Sequence, residues 1–257
     1  MGTGMKRLSA RVPGSEYLLL SRTWGYSLIF VLPLILSYQT LIMVTSASGG
    51  IRPVNGAEAV LASILGFIGV ESYAGFFYVV IGVAVVGTVY DVFYNDRRVK
   101  PSYFGGMLLE SLVYATFFGY AVSVVTGAVL PPELVPSDVS AAISGIESAS
   151  ALDKILMSVG AGIYEEIVFR VILISGVGRL VGLGDSPGFG GYILLIGISS
   201  IVFSAAHVTG DPSALSPYVF TFRAVGGAVF ALVYLVRGFG VVVYTHAFYD
   251  ILVFFVG

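Results

Sequence analysis

The chain has 257 residues, of which 57% are hydrophobic and only 11% charged, and its mean hydropathy is +0.95. A soluble domain carries about a quarter charged residues, so this composition excludes a soluble globular protein and describes an integral membrane protein. The net charge of -2 argues against a nucleic-acid partner, and the absence of cysteine excludes disulfides, thiolate catalysis and thiolate metal sites.

Lys6, Arg7, Arg11 and Arg22 precede the first apolar run, 24–47, and the positive-inside rule places that end in the cytoplasm. Ser46-Ala47-Ser48 faintly resembles a signal-peptidase site, but the run before it is much longer than a signal core of about 7 to 15 residues, so it reads as a retained helix. An outer loop with Arg52, Pro53 and Asn55 follows. The apolar stretch 57–70 is then short of the roughly 20 residues that a helical crossing needs, and is expected to be re-entrant or interfacial. The second crossing, 73–93, ends on Asp96, Arg97, Arg98 and Lys100, a cytoplasmic signature. The third, 104–130, leads into an acidic loop with Pro131, Pro132, Glu133, Pro136, Asp138 and Glu147, expected outside.

The fourth crossing, 151–182, ends near Arg179 on the cytoplasmic side. Three more cover 189–208, 217–236 and 239–256, with Arg237 and Gly238 marking a cytoplasmic turn between the last two. Backbone groups in lipid must be satisfied within the segment, which favours helices over short alternating strands. The expected fold is therefore all-α: a polytopic transmembrane helix bundle of about seven crossings, or eight if 57–70 spans. Residues 1–150 supply N-terminal helices and 151–257 a core, integrated as one domain. Gly162, Gly178, Gly182, Gly190, Gly191, Gly226 and Gly227 offer small surfaces for close helix approach.

Glu165, Glu166 and Arg170 lie inside the fourth apolar segment, where each charge at mid-membrane costs roughly 2.5 to 3.5 kcal/mol and so calls for a partner or a task. On an α-helix Glu166 and Arg170 share a face, and Glu165 is turned by about 100° from Glu166. Arg170 then neutralises Glu166, leaving Glu165 free to point into a polar cavity as a general acid or base. The chain has two histidines. His207 follows Phe203 by one turn, and His246 precedes Asp250 by one turn, so imidazole and carboxylate can face one cavity. Each feature also has a plain structural reading: Glu166 with Arg170 as an ion pair that fixes packing, His207 as an interfacial residue, Asp250 as a partner that merely orients His246.

Glu165-Glu166-x-x-x-Arg170, then Phe203-x-x-x-His207, then His246-x-x-x-Asp250, resembles the ordered motifs of the CPBP intramembrane proteases, the family of the type II CAAX prenyl endopeptidases and of bacterial relatives linked to bacteriocin processing and immunity. The resemblance covers 151–257 and implies hydrolysis of peptide bonds in membrane-associated peptides or protein tails, prenylated CAAX-type tails among them. It implies that Glu165 with His207 activates the attacking water, that His246 and Asp250 hold the oxyanion, and that Glu166, Arg170 and Phe203 support them. Family members often have asparagine where this chain has Asp250. An ionised aspartate cannot donate a hydrogen bond, so Asp250 acts either protonated or by orienting and charging His246.

The leading expectation requires no cofactor. The alternative is Zn²⁺ held by Glu165, His207, His246 and Asp250, an oxygen and nitrogen set that suits that ion. Two other readings stand beside the protease: a non-catalytic binding or immunity protein of the same fold, and a proton-coupled transporter. The partners implied are the lipid bilayer, in a prokaryote the plasma membrane, and a membrane-associated peptide or protein substrate. The predicted topology runs the fifth crossing outward and sets His207 near its external end, whereas action on cytoplasmic prenylated tails requires an inward-facing site.

Overall fold

The computed structural model describes residues 15–47, 55–94, 99–136, 149–183, 188–208 and 216–256, and every element among them is helical. The flanking charges Lys6, Arg7, Arg11, Arg52, Asp96, Arg97, Arg98, Asp138 and Glu147, with Pro53 and Ser48, lie outside the described residues. In chain order the helices are α1 (Ser15–Ser21), α2 (Trp24–Ala47), α3 (Gly56–Gly66), α4 (Tyr73–Tyr94) and α5 (Ser102–Val129). A 3-10 turn at Pro132–Leu134 comes before α6, which occupies 151–180. It is α-helical over Ala151–Gly160, π-helical over Ala161–Glu165 and Ile167–Val177, and α-helical again over Gly178–Leu180. α7 (Phe189–Ala206), α8 (Pro217–Arg237) and α9 (Phe239–Val256) complete the bundle.

Among the described residues six helices, α2, α4, α5, α7, α8 and α9, are long and apolar enough to cross a membrane, and the protein is a polytopic integral membrane protein. The expected fourth crossing is α6, which stays helical throughout but is interrupted in its winding and carries the charged residues. The expected re-entrant stretch is α3, of 11 residues, well short of a crossing. Its buried face is Ala57, Glu58 and Leu61. α1 is a short helix that the apolar pattern does not announce.

α9 is the axis of the bundle. Residues Phe239 to Ala247 are all buried, as expected for a helix that is apolar on every side and packed on every side. The main core joins residues of α2, α5, α6, α8 and α9, among them Val31, Val122, Ile163, Ala231 and Val243. The outer surface is apolar as well: Val83 and Val86 of α4 are 66% and 68% exposed, a liability in water and the normal condition in lipid.

Two glycines set the geometry. A Cβ on Gly162 would meet Val243 O at 2.8 Å and Ala247 N at 2.9 Å, so only glycine lets α6 lie this close to α9. Gly238, at φ +87, turns the chain from α8 into α9 against the backbone of Arg22. Gly227 also makes a close approach, to Ser200 and Phe203 of α7. The expectation of a contact surface fails at Gly182 and Gly190, where added side chains would meet open space; Gly182 instead takes φ +80 just after α6.

Arg237 does more than mark a turn. It is 5% exposed and its guanidinium joins three elements: Nε and Nη2 donate to Glu110 of α5, the latter at 2.8 Å, while Nη2 also donates to Ser21 Oγ at 2.9 Å and Nη1 to Leu18 O at 3.2 Å. Tyr17 and Tyr114 hydroxyls donate to the same carboxylate at 2.8 and 2.7 Å. Burial first, and then the Glu110 carboxylate, push the Tyr17 phenol up to about 12.

Candidate active site

The π winding of α6 decides where its two glutamates go. An α-helix turns neighbouring residues about 100° apart, whereas a π-helix closes its hydrogen bonds from i to i+5 and turns each residue through less. Glu165 and Glu166 therefore both reach the imidazole of His246 on α9, which Gly162 has let in close. The divergence of about 100° expected of an α-helix is thereby reduced, while the two carboxylates still make different contacts. Glu166 Oε1 accepts from His246 Nδ1 at 2.8 Å, and Glu165 Oε2 lies 3.9 Å from His246 Nε2.

Glu166 also forms the expected pair with Arg170: Nε stands 3.0 Å from Oε2, both side chains are fully buried, and the angle is that of an ion contact rather than of a hydrogen bond. Arg170 Nη2 donates to Gly227 O at 3.2 Å. Its guanidinium lies 5.0 Å from the Phe203 ring, 5.8 Å from Phe230 and 5.9 Å from Phe169. Aromatic faces carry negative charge density, so this cage, the carbonyl and Glu166 together compensate a cation withdrawn from solvent. Glu166 thus carries two loads, anchoring Arg170 and holding His246.

Glu165 is placed differently. Its Oε1 accepts from Asn55 Nδ2 at 2.8 Å, while Oε2 is buried without a hydrogen-bond partner. Oε2 faces His207 Nε2 at 3.6 Å as well as His246 Nε2. His207 ends α7, and its Nδ1 donates to Phe203 O at 2.8 Å, because a carbonyl can only accept. By the same logic His246 Nδ1 carries a proton toward Glu166. Both rings therefore turn Nε2 toward one carboxylate oxygen. At 3.6 and 3.9 Å these contacts are too long for direct hydrogen bonds.

Asp250 sits one turn beyond His246 with Oδ2 3.7 Å from Nε2, so it does not orient the ring through Nδ1, which Glu166 occupies. The ring is fixed further by stacking on Phe230, with centroids 4.2 Å apart and planes at 22°. Phe203 serves through two groups: its carbonyl sets the His207 tautomer and its ring covers Arg170. All the residues singled out in the three motifs, Glu165, Glu166, Arg170, Phe203, His207, His246 and Asp250, are thus brought together from α6, α7 and α9.

Asn55 is the residue that motif reasoning left in an outer loop. Its Oδ1 caps α3 by accepting from Ala57 N at 2.7 Å while its amide reaches Glu165. Asparagine directly ahead of a short apolar run is the helix-cap signal that would have drawn attention to it. Behind it stands a second polar layer: Tyr38 donates to Glu58 of α3 at 2.9 Å, and Gln39 Nε2 to the hydroxyl of Tyr164 at 2.9 Å. A zinc centre needs three or four donors about 2.0 to 2.2 Å from one point. Among the described residues no group of three or more histidine, aspartate or glutamate side chains is arranged to hold a metal, so no step is carried through one.

Residues 147–252 match the family model described as Type II CAAX prenyl endopeptidase Rce1-like. No curated protein and no solved structure matches the chain.

Proposed function

We propose, from the Rce1-like type II CAAX prenyl endopeptidase domain over residues 147–252, that this protein is an intramembrane endopeptidase in which Glu165 is the general base. The carrying observation is the buried Oε2 of Glu165, unpartnered and facing the Nε2 atoms of His207 and His246 at 3.6 and 3.9 Å. Asn55 holds the other oxygen, so the free one has a fixed direction.

A water held beside Glu165 Oε2 and His207 Nε2 gives a proton to the carboxylate as its oxygen attacks the scissile carbonyl. The carbonyl π pair moves onto oxygen, and His246, protonated at Nε2, donates to the oxyanion from a ring already locked by Glu166 and Phe230. A preorganised donor of this kind contributes several kcal/mol, because nothing has to reorient as charge develops. Collapse of the intermediate expels the amine, which takes the proton from Glu165. Asp250 flanks the oxyanion position and acts there in its protonated form, as a second donor.

The reading requires no metal. Purified wild type and Glu165→Gln, offered a prenylated and a non-prenylated membrane peptide with and without chelator, test all of it. Cleavage by the wild type alone, unchanged by chelation, is expected. Equal cleavage by both proteins removes Glu165 as the base, and restoration of a chelated enzyme by added Zn²⁺ overturns the metal-independent mechanism.

A further inference from the structure

α3 is seated by polar contacts more than by apolar ones. Its buried face is Ala57, Glu58 and Leu61, while Val60 and Ile64 on its other side are 49% and 47% exposed. Between helices of a membrane protein, apolar contact gains little over contact with lipid, so hydrogen bonds weigh heavily in where a short helix sits. Asn55, the cap of α3, donates to Glu165 of α6, and Glu58 accepts from Tyr38 of α2.

Tyr38 and Gln39 are neighbours on α2 and so point about 100° apart. Tyr38 turns to α3, its hydroxyl donating to Glu58 Oε2 at 2.9 Å; Gln39 turns to α6, its Nε2 donating to the Tyr164 hydroxyl at 2.9 Å. All four side chains are buried. Tyr164 directly precedes Glu165, and its ring packs edge-on against Tyr38, with centroids 5.6 Å apart, and against Phe76 of α4 at 5.7 Å. Gly160 gives Tyr38 room to pass α6, since a Cβ there would lie 3.1 Å from the hydroxyl. One dipeptide of α2 thus holds both elements that meet at Glu165. Through Tyr164 it limits rotation of α6, which would swing Glu165 Oε2 off the two Nε2 atoms. Through Glu58 it keeps α3, with Asn55 at its head, against the other carboxylate oxygen.

We infer that Tyr38 and Glu58 are positioning residues for Glu165, acting through α3 and Asn55. Tyr38, Gln39, Asn55 and Glu58 all lie outside the 147–252 segment that matches the family model, so the N-terminal helices complete the site rather than merely anchor it. The effect on turnover rests on the proteolytic reading above; the docking of α3 does not.

The full-length protein, purified in detergent, is compared with Tyr38→Phe, Glu58→Leu, Glu58→Gln, Asn55→Ala and the Tyr38→Phe, Asn55→Ala double variant. Two readouts are taken: steady-state cleavage of a membrane peptide, and amide hydrogen exchange over residues 56–66. Tyr38→Phe and Glu58→Leu should lower kcat roughly 3- to 20-fold, the factor that one membrane-buried hydrogen bond carries, with KM unchanged because neither residue meets the substrate. Glu58→Gln keeps an acceptor oxygen and should restore near wild-type turnover. The double variant should be no slower than Asn55→Ala alone, since releasing α3 costs nothing more once the amide is gone; a merely structural role would multiply the two losses. Exchange over 56–66 should quicken in Tyr38→Phe and Glu58→Leu and stay slow in Glu58→Gln.

Tyr38→Phe removes one oxygen, so it carries the comparison should Glu58→Leu not fold. Wild-type kcat in Tyr38→Phe, or multiplied losses in the double variant, overturns the positioning role. Unchanged exchange over 56–66 in Tyr38→Phe overturns the docking of α3 by Glu58. No cleavage by the wild type, or equal cleavage by Glu165→Gln, overturns the proteolytic reading and the turnover half with it, and the exchange readout then decides the docking alone.

Discussion

Asn55 links the short helix α3 to the candidate site with one side chain. Its amide proton occupies Glu165 Oε1, and a hydrogen bond to a charged acceptor contributes about 1.5 to 3 kcal/mol. Asn55→Ala is therefore expected to lower kcat by roughly 10- to 100-fold with little change in KM, and Asn55→Asp to lower it further, since a carboxylate then stands where a donor stood. Steady-state kinetics on a cleavable membrane peptide decide this; an Asn55→Asp enzyme as active as wild type removes Asn55 from the mechanism. Asp250 presents the complementary case. Its Oδ2 lies 3.7 Å from His246 Nε2 and cannot serve the ring through Nδ1, so its useful form is the donor. Asp250→Asn preserves that donor and should keep most of the activity, whereas Asp250→Ala should lose at least about tenfold, the scale of one oxyanion donor being larger still. If Asn and Ala are equally damaging, the charge and not the hydrogen bond is what matters.

Among the elements, α6 and α9 define the site by how close they lie. The side chain of Gly162 is a hydrogen, and the space beyond it is filled by the backbone of Val243 and Ala247. Backbone cannot rotate away as a flexible side chain can. Gly162→Ala should therefore destabilise the bundle by about 1 to 3 kcal/mol as an overpacking change and also displace His246 from Glu166, lowering activity more than stability predicts. Gly197→Ala on α7, where nothing lies within 4 Å, is the control and should leave the melting temperature unchanged or raise it slightly. Thermal unfolding in detergent with a parallel activity assay distinguishes the two. A Gly162→Ala protein that melts and cleaves like wild type would mean that α6 and α9 have room to part.

Across the whole molecule, the Arg237 and Glu110 pair ties α8 to α5 and, through Leu18 and Ser21, to α1, away from the candidate site. Their side chains are 6% and 16% exposed, so removal of the cation alone leaves a largely desolvated carboxylate. Breaking such a pair costs about 3 to 5 kcal/mol, while replacing both members with apolar groups of similar size is often close to neutral. Arg237→Met should accordingly lower the melting temperature clearly, and Arg237→Met combined with Glu110→Leu should recover much of the loss. A double variant no more stable than the single one would show that the bonds to Ser21 and Leu18, not charge balance, hold these helices together.

The amino-acid sequence by itself determined the membrane class, the helix spans to within a few residues and the seven motif residues from Glu165 to Asp250. Hydropathy runs and one-turn spacings are local properties, and they survive whatever the rest of the chain does. It left four things to the tertiary structure. The π winding turns Glu165 and Glu166 onto one imidazole, Glu166 and not Asp250 holds His246 Nδ1, Asn55 reaches Glu165 across 110 residues of chain, and Arg237 finds Glu110 across 127. Each depends on which helix faces which and at what separation. That is decided by close packing at points such as Gly162, where two backbones meet, and no periodicity within either helix encodes it.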